Sequence, residues 1–400
     1  MGVAPPGVRN LFRAALVIFV ITVVIGILNG TDVWDVPRNT LLTHVHAGTL
    51  GWITLSVFGG AIWMFGSPDD NSSNTLASFT IVALALYVLA FWSGDILNIE
   101  ETIQRPIGGT LAFIAMVWMF VWVLRRKRGK SWDVAEFGLG LALLFLVIGA
   151  VLGVLLGLQL AGTEIVSAEN ADRLGGAHPA AMVIGYVILA AVALIEWLIR
   201  KGAAPKLSES RAGMIQMLLI FLAGLLGLVG FLLDNDMLLQ LNVPLEVVGL
   251  IILLVRLRSF LAPSQWGGSI VEAMPRTAVI GLVVGVGLLA YVVSLFVGGS
   301  EVEEIEHWLI ALDHVNFIAV VTNLIFAMMA MASSVSERAN RIIFWGANIG
   351  VTGFVAGLVS ENAILKRVFT PILGLALLYA IVTYLTADDA QPARVNVQAS

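Results

Sequence analysis

The sequence contains no cysteine among its 400 residues, and only 12% of its residues are charged. The lack of cysteine excludes disulfides, c-type haem attachment, cysteine-ligated iron–sulfur clusters and a thiolate copper centre in this chain. A redox cofactor held here would therefore use histidine or methionine ligands. The low charge, together with 59% hydrophobic residues, excludes an ordinary soluble domain.

Long apolar stretches occupy most of the chain. Each is about 20 residues long, which is the length that a helix needs to cross a bilayer with its backbone hydrogen bonds satisfied internally. We therefore predict an all-α membrane protein with twelve transmembrane helices. The predicted spans are 11–29, 40–65, 76–97, 107–125, 135–160, 175–199, 210–234, 238–258, 275–298, 307–334, 340–360 and 365–387.

The basic residues alternate between the two sides of this arrangement. If the N-terminus is cytoplasmic, the inside segments contain most of the lysines and arginines, including the run Arg125–Lys130. The positive-inside rule then predicts cytoplasmic termini in a bacterial-type inner membrane. The first span is expected to stay as a membrane helix, since no small-residue cleavage site follows it. The basic run is read as a topology signal, and no nucleic-acid partner is expected.

Three histidines open three of the predicted spans at near-equal intervals along the chain. His44, His178 and His314 begin spans two, six and ten, so they are expected at similar depth on the outer side. This spacing predicts one domain built from three pseudo-repeats of four spans, near 1–134, 135–270 and 271–387, with a flexible cytoplasmic tail at 388–400. Histidines inside a membrane generally face a cavity, a partner or a metal.

A second histidine, His46, lies two residues after His44. Residues two apart on an α-helix point about 200° apart, so these imidazoles cannot easily bind one metal ion. They can bind two planar macrocycles, one on either side of span two, with His178 and His314 as the opposing ligands. Either pairing satisfies this geometry. Zinc is disfavoured because its compact tetrahedral site needs ligands that converge on one point.

The residues around this pair resemble a known haem-ligand helix. The run THVHAGTLGWITL at 43–55, followed by Phe58, Gly59, Gly60 and Ala61, is similar to the His-x-His helix in subunit I of haem–copper oxidases and nitric oxide reductases, most of all the cbb3-type branch. The resemblance implies twelve helices in three arcs of four, with haem ligands on the second, sixth and tenth. It implies haem b, one or two per chain.

Carried onto this chain, the resemblance makes His44, His46, His178 and His314 the axial ligands. It also places the basic residues Lys366 and Arg367, between spans eleven and twelve, against haem propionates, which guanidinium and ammonium groups can bind. The chain departs from the family at the copper site. Its seventh span has no histidine, and Met182 follows His178 where some members have a tyrosine. We therefore expect a divergent member without copper.

Three functional classes follow from these observations. The first is a haem protein in electron transfer or in nitric oxide or oxygen chemistry, with a cytochrome c or a quinol as electron donor; if it is an enzyme, it is an oxidoreductase. The second is a non-catalytic gas sensor or haem-handling protein. The third is a twelve-helix transporter, for which two repeats of six spans would be expected instead. Glu196 and Glu246 are intramembrane carboxyls and candidates for a proton path.

Overall fold

The computed structural model describes residues 4–67, 71–97, 103–163 and 165–389. It confirms the twelve predicted membrane helices, and the described residues contain no β-strand. Of the tail predicted at 388–400, all but the first two residues lie outside the described part. The protein is therefore a multi-pass, all-α membrane protein.

We number the helices α1 to α12, in the order of the predicted spans. Nine of them are uninterrupted α-helices: α1 Pro6–Gly30, α3 Asn71–Leu97, α4 Gln104–Lys127, α5 Val134–Leu160, α7 Arg211–Leu233, α8 Asp236–Leu261, α9 Ile270–Val297, α11 Glu337–Val359 and α12 Ala363–Thr386. A short 3₁₀ turn, Pro263–Gln265, follows α8.

The other three, α2, α6 and α10, each change from α-helix to π-helix and back. In α2 the segments are Arg38–His46, Ala47–Thr54 and Leu55–Phe65; in α6 they are Ala168–Ala180, Ala181–Val187 and Ile188–Ile199; in α10 they are Val302–His314, Val315–Thr322 and Asn323–Ala332. The middle range is the π-helix each time. Such segments are rare and occur often at functional sites. Here each begins within three residues of a histidine that the sequence singled out.

Polar caps explain where several helices begin. The Asp133 side chain accepts a hydrogen bond from the backbone N–H of Glu136, and the Glu136 carboxylate accepts one from the N–H of Asp133, at 2.8 Å in each case. This capping box satisfies N–H groups that the first helical turn leaves free. Side chains cap the first turns of α6 to α9, α11 and α12 as well, from Ser167, Ser210, Asn235, Ser269, Ser336 and Asn362.

The three π-containing helices form the centre of the bundle. In their most apolar stretches, 83%, 89% and 78% of the residues of α2, α6 and α10 are buried, against at most 50% in each of the other nine helices. The peripheral helices expose apolar side chains such as Val17, Leu222 and Val255, as expected for surfaces that face lipid.

The central helices meet at their π segments and separate towards the end that carries the histidines. Trp52 Nε1 donates to Thr322 Oγ1 at 2.9 Å, joining α2 to α10, and the Tyr186 hydroxyl donates to Thr54 Oγ1 at 3.3 Å, joining α6 to α2. Beyond these links, the first segments of α2, α6 and α10 pack mainly on their sequence neighbours. We call this end of the bundle the histidine end; it is the end predicted to face outwards.

Candidate functional site

Four of the five histidines lie in the gaps between the central helices, each half-buried. All four are held in the same way, by a hydrogen bond between the ring Nδ1 and a backbone carbonyl oxygen. The partners and distances are Thr22 for His44 (2.8 Å), Leu42 for His46 (2.8 Å), Gly149 for His178 (2.9 Å) and Ile310 for His314 (2.8 Å).

These hydrogen bonds determine which ring nitrogen is free. A carbonyl oxygen can only accept, so Nδ1 must carry a proton, and in the neutral imidazole Nε2 then carries the lone pair. No described residue forms a hydrogen bond with Nε2 of any of the four rings. Metal-ligating histidines typically donate their second ring nitrogen to a carbonyl or carboxylate in this way. The four rings are therefore oriented as iron ligands would be.

The fifth histidine, His307, is different. It is half-buried near the start of α10, and its described interaction is a ring contact with Trp308 at 5.5 Å between centroids. It has no carbonyl partner among the described residues that would orient its ring. His307 therefore serves as an internal comparison for the four oriented histidines.

Two of the rings are anchored by a neighbouring helix with the same local arrangement. His44 binds the Thr22 carbonyl of α1, and His178 binds the Gly149 carbonyl of α5. In both helices a glycine, Gly26 or Gly153, follows four residues after that carbonyl. A Cβ on Gly26 would lie 3.0 Å from His44 Cε1, and one on Gly153 would lie 2.9 Å from His178 Cε1. The missing side chains let the rings reach the carbonyls.

The other two rings are anchored by their own helices. His46 binds the carbonyl of Leu42, and His314 binds the carbonyl of Ile310, each four residues earlier. Asp313, the residue before His314, does not form this bond. A carbonyl has a second lone pair, so it can accept from the ring as well as from the helical N–H.

The first site lies between α2 and α10 and contains His44 and His314. Both rings line one cavity of about 260 Å³, just below the roughly 300–1,000 Å³ of typical ligand pockets, and they lie within electrostatic range of each other. Phe354 of α11 packs on the His314 ring, with centroids 4.8 Å apart. The walls are mostly apolar and come from α1, α2, α10, α11 and α12. A mostly apolar cavity lined by two imidazoles suits a hydrophobic cofactor that histidine can bind.

The second site lies between α2 and α6 and contains His46 and His178. His46 lies within electrostatic range of His178 and Arg105. Its ring stacks on Phe91, with centroids 4.0 Å apart, and the Arg105 guanidinium lies 4.9 Å from the centroid of Phe91. Arg105 Nη2 also donates to Asn39 Oδ1 at 2.5 Å. This arrangement places a fixed positive charge beside the second pair of histidines.

The third gap, between α6 and α10, has apolar side chains in place of histidines. A separate hydrophobic cluster fills it, formed by Ala180, Ile184, Leu289, Val292, Ile305 and Leu312. Two residues after His314 stands Asn316, in the position that His46 has after His44. Asn316 is 2% exposed and packs against Gly285 of α9. The structure thus brings the four histidines together as two pairs, one in each of two gaps.

Lys366 and Arg367, the predicted propionate contacts, both bind the side chain of Asp32. Lys366 Nζ and Arg367 Nε each donate to the carboxylate of Asp32, at 2.8 Å in both cases. Thr370, one turn further along α12, lines the cavity of the first site. The two cations therefore lie one helical turn from a residue that lines the cavity, and they already bind a carboxylate there. Contact with a propionate remains a prediction.

This ion cluster should make the free energy of unfolding depend on pH in the acid range. Hydrogen bonds from Lys366 and then Arg367 lower the pKa of Asp32, which lies outside the membrane helices. Because the folded-state pKa is lowered, the stabilisation is present above the ordinary aspartate pKa of about 3.9 and is lost as pH falls through the lower folded value. The Asp32 side chain is 37% exposed, so we expect less than about 1 kcal/mol.

The test compares Asp32→Asn with the wild type in thermal unfolding between about pH 7 and about pH 3. The wild type should be slightly more stable at neutral pH, and the difference should shrink towards the acid end. Asp35→Asn is the control, because Asp35 is exposed and no ion pair of it is described. A difference that grows as the pH falls would contradict the assignment.

Among the described residues, no group of three or more His, Cys, Asp or Glu side chains could hold a metal ion together. A compact metal site is thus not found there, whereas a haem iron needs only two axial protein ligands. The two histidine pairs fit that requirement.

No protein-family model matches the chain, and a search of curated proteins finds no significant match. A function can therefore be argued only from the residues and their geometry.

Proposed function

We propose that the protein binds b-type haem at the two histidine pairs and carries electrons between them within the membrane. The observation that carries the proposal is the shared orientation of four rings: each donates Nδ1–H to a backbone carbonyl and leaves Nε2 free, and the rings pair across two gaps. The resemblance of residues 43–61 to a haem-ligand helix supports the same reading. Bound haem would supply the one-electron redox chemistry.

The ligand set favours electron transfer over gas chemistry. His44 and His314 would hold one haem iron, and His46 and His178 would hold the other, so each iron would have two protein ligands. Such an iron would not bind nitric oxide or oxygen unless a histidine left. His44 and His46 are two residues apart, so both sites are attached to the same stretch of α2. That shared helix gives electrons a short path.

The residues around each site have separate roles in this proposal. The mostly apolar walls of the first site suit a hydrophobic macrocycle, and Lys366 and Arg367 offer positive charge one turn of α12 from Thr370 in that wall. Arg105 gives the second site a fixed positive charge, which favours the reduced form of a nearby redox group. We propose that electrons enter at the histidine end from a cytochrome c or a quinol. We also propose that this end faces outwards across a bacterial-type inner membrane.

The threefold repeat is part of the proposal. Three features support it: the π segments of α2, α6 and α10, the matched anchors Thr22–Gly26 and Gly149–Gly153, and the central position of the same three helices. A transporter built from two halves of six helices would not explain why these features recur every four helices.

The test is an optical spectrum of the purified protein, oxidised and then reduced, with iron and copper quantified and carbon monoxide added to the reduced form. We expect sharp haem b bands, two irons per chain, no copper and no shift with carbon monoxide. A shift would move the assignment to gas binding or sensing, because it needs an open iron position. Absence of haem in protein expressed with ample haem would refute the proposal and leave a transporter.

A further inference from the structure

A buried carboxyl group lies in α8, away from both histidine pairs. Glu246 is 1% exposed, and neither of its carboxyl oxygens has a hydrogen-bond partner among the described residues. Asn242, four residues earlier on the same face, is also 1% exposed, and its Oδ1 likewise has no described partner. Buried polar groups are nearly always hydrogen-bonded, so a pair left without partners indicates a ligand or ordered water.

The pair lies deep in the bundle. Glu246 is ten residues from the start of α8, which is about 15 Å along the helix and near the middle of a bilayer. Its face of α8 packs on α7: Asn242 Nδ2 lies 3.0 Å from where a Cβ of Gly227 would be, and the Cδ1 of Ile184 in α6 lies 3.5 Å from that point. The absence of a side chain at Gly227 leaves room beside the amide.

No opposite charge is available beside Glu246 in the packed helices. The facing helix α7 has one charged residue, Arg211, at its first position, and α9 has charges only in its first two turns, at Glu272 and Arg276. In α8 itself the nearest charges are Asp236 and Arg256, each ten residues away. The middle of these helices is apolar where Glu246 lies.

Glu196 is a second buried carboxylate of this protein, and its surroundings differ from those of Glu246. Glu196 is fully buried, and its oxygens accept from Arg200 Nε at 2.7 Å and from Arg256 Nη2 and Nη1 at 2.7 and 3.2 Å. Arg256 Nη1 also donates to Gln216 Oε1 at 2.7 Å. Glu196 is thus a carboxylate held by two arginines. Glu246 has no equivalent partners.

We propose that Glu246 and Asn242 form a proton-binding site inside the membrane, in which Glu246 is a neutral acid that exchanges its proton with water. An unpaired carboxylate in apolar surroundings is strongly disfavoured, whereas the neutral acid can donate its proton to a water that the Asn242 carbonyl also binds. Ionisable residues within membrane helices commonly mark proton pathways. This site requires no haem, so it stands or fails separately from the electron-transfer proposal.

Dicyclohexylcarbodiimide tests the charge state directly. It reacts with protonated carboxyls in apolar surroundings: the acid proton goes to a nitrogen of the reagent, the carboxyl oxygen bonds to its central carbon, and rearrangement gives a stable N-acylurea with no leaving group. In the wild-type protein, peptide mass spectrometry should find the full reagent mass on Glu246, with labelling that decreases as pH rises. Glu196 is the internal control and should stay unlabelled. Glu246→Gln should lose the label.

A second measurement covers the case in which the reagent cannot reach the site. The infrared carbonyl band of a protonated carboxylic acid should shift in D₂O and be missing from Glu246→Gln. A wild-type protein with neither the label nor this band would overturn the proposal. A band that does not shift in D₂O would overturn it too, because the proton would not exchange. Protection from the reagent by sodium ions would indicate a sodium site instead of a proton site.

Discussion

Replacing His46 by alanine should remove one of two haems, and replacing His178 by alanine should remove the same one. Both imidazoles belong to the second site, where His46 lies within electrostatic range of His178. His44→Ala and His314→Ala should both remove the other haem, because those rings line one cavity. Each variant should keep roughly half of the haem, since an iron that loses one axial histidine is held by a single ligand.

Haem content per chain and the reduced spectrum of each variant test this pairing. If the two haems have distinct bands, the four variants should fall into two spectral groups of two. The control is His307→Ala, which should keep both haems because His307 has no carbonyl anchor among the described residues. Loss of different haems from His46→Ala and His178→Ala would contradict the pairing, and full haem content in all four variants would refute the ligand assignment.

The twelve helices could be predicted because their signal is local. Each span needs only enough apolar residues in a row, and the Ser, Asn and Asp caps that start several helices are local as well. The direction of His44 relative to His46 was also predictable, since helical geometry alone separates residues two apart. In the structure His44 lines the first cavity, whereas His46 stacks on Phe91 in the second gap.

The pairing of these histidines could not be predicted, because it depends on which central helix lies on which side of α2. The order of helices around the centre of the bundle is a tertiary property. The spacing of the histidines along the chain is the same whichever side of α2 is next to α6. Asp32 was missed for a related reason. It lies in the first loop, while its partners Lys366 and Arg367 begin the last helix, and nothing local connects them. The π segments likewise carry no recognised sequence signal.

The central helices show where a threefold arrangement would have diverged. The α1–α2 and α5–α6 pairs share the glycine-and-carbonyl anchor, whereas His314 bonds to its own helix and Gly285 of α9 packs on Asn316. Where His46 follows His44 by two, α6 has Ala180 and α10 has Asn316. Only α2 therefore carries histidines on two faces, and the gap without α2 is filled by apolar side chains. This one difference explains why three gaps contain two histidine pairs.

The anchors themselves lead to the last prediction, which concerns Gly153→Ala in α5. The added Cβ would lie 2.9 Å from His178 Cε1 and 3.3 Å from its Nδ1, closer than ordinary contact, so the ring must move away from the Gly149 carbonyl. Partners that orient a metal-ligating histidine typically contribute 10–100-fold in affinity. We therefore expect about 10–100-fold weaker haem binding at the second site, with the first site unchanged.

Gly157→Ala is the matched control, one turn further along α5. Its Cβ would meet Pro106 at an ordinary distance of 3.7 Å, so haem binding should stay normal, while helix propensity favours the alanine by roughly 0.5–1 kcal/mol. Gly26→Ala should affect the first site instead, because its Cβ would meet His44. Haem titration and the reduction potential of each site distinguish these cases. Weaker haem binding at the first site in Gly153→Ala, or normal haem binding at both sites, would contradict this prediction. In either case Gly153 would only be a packing residue, and something else would have to orient His178.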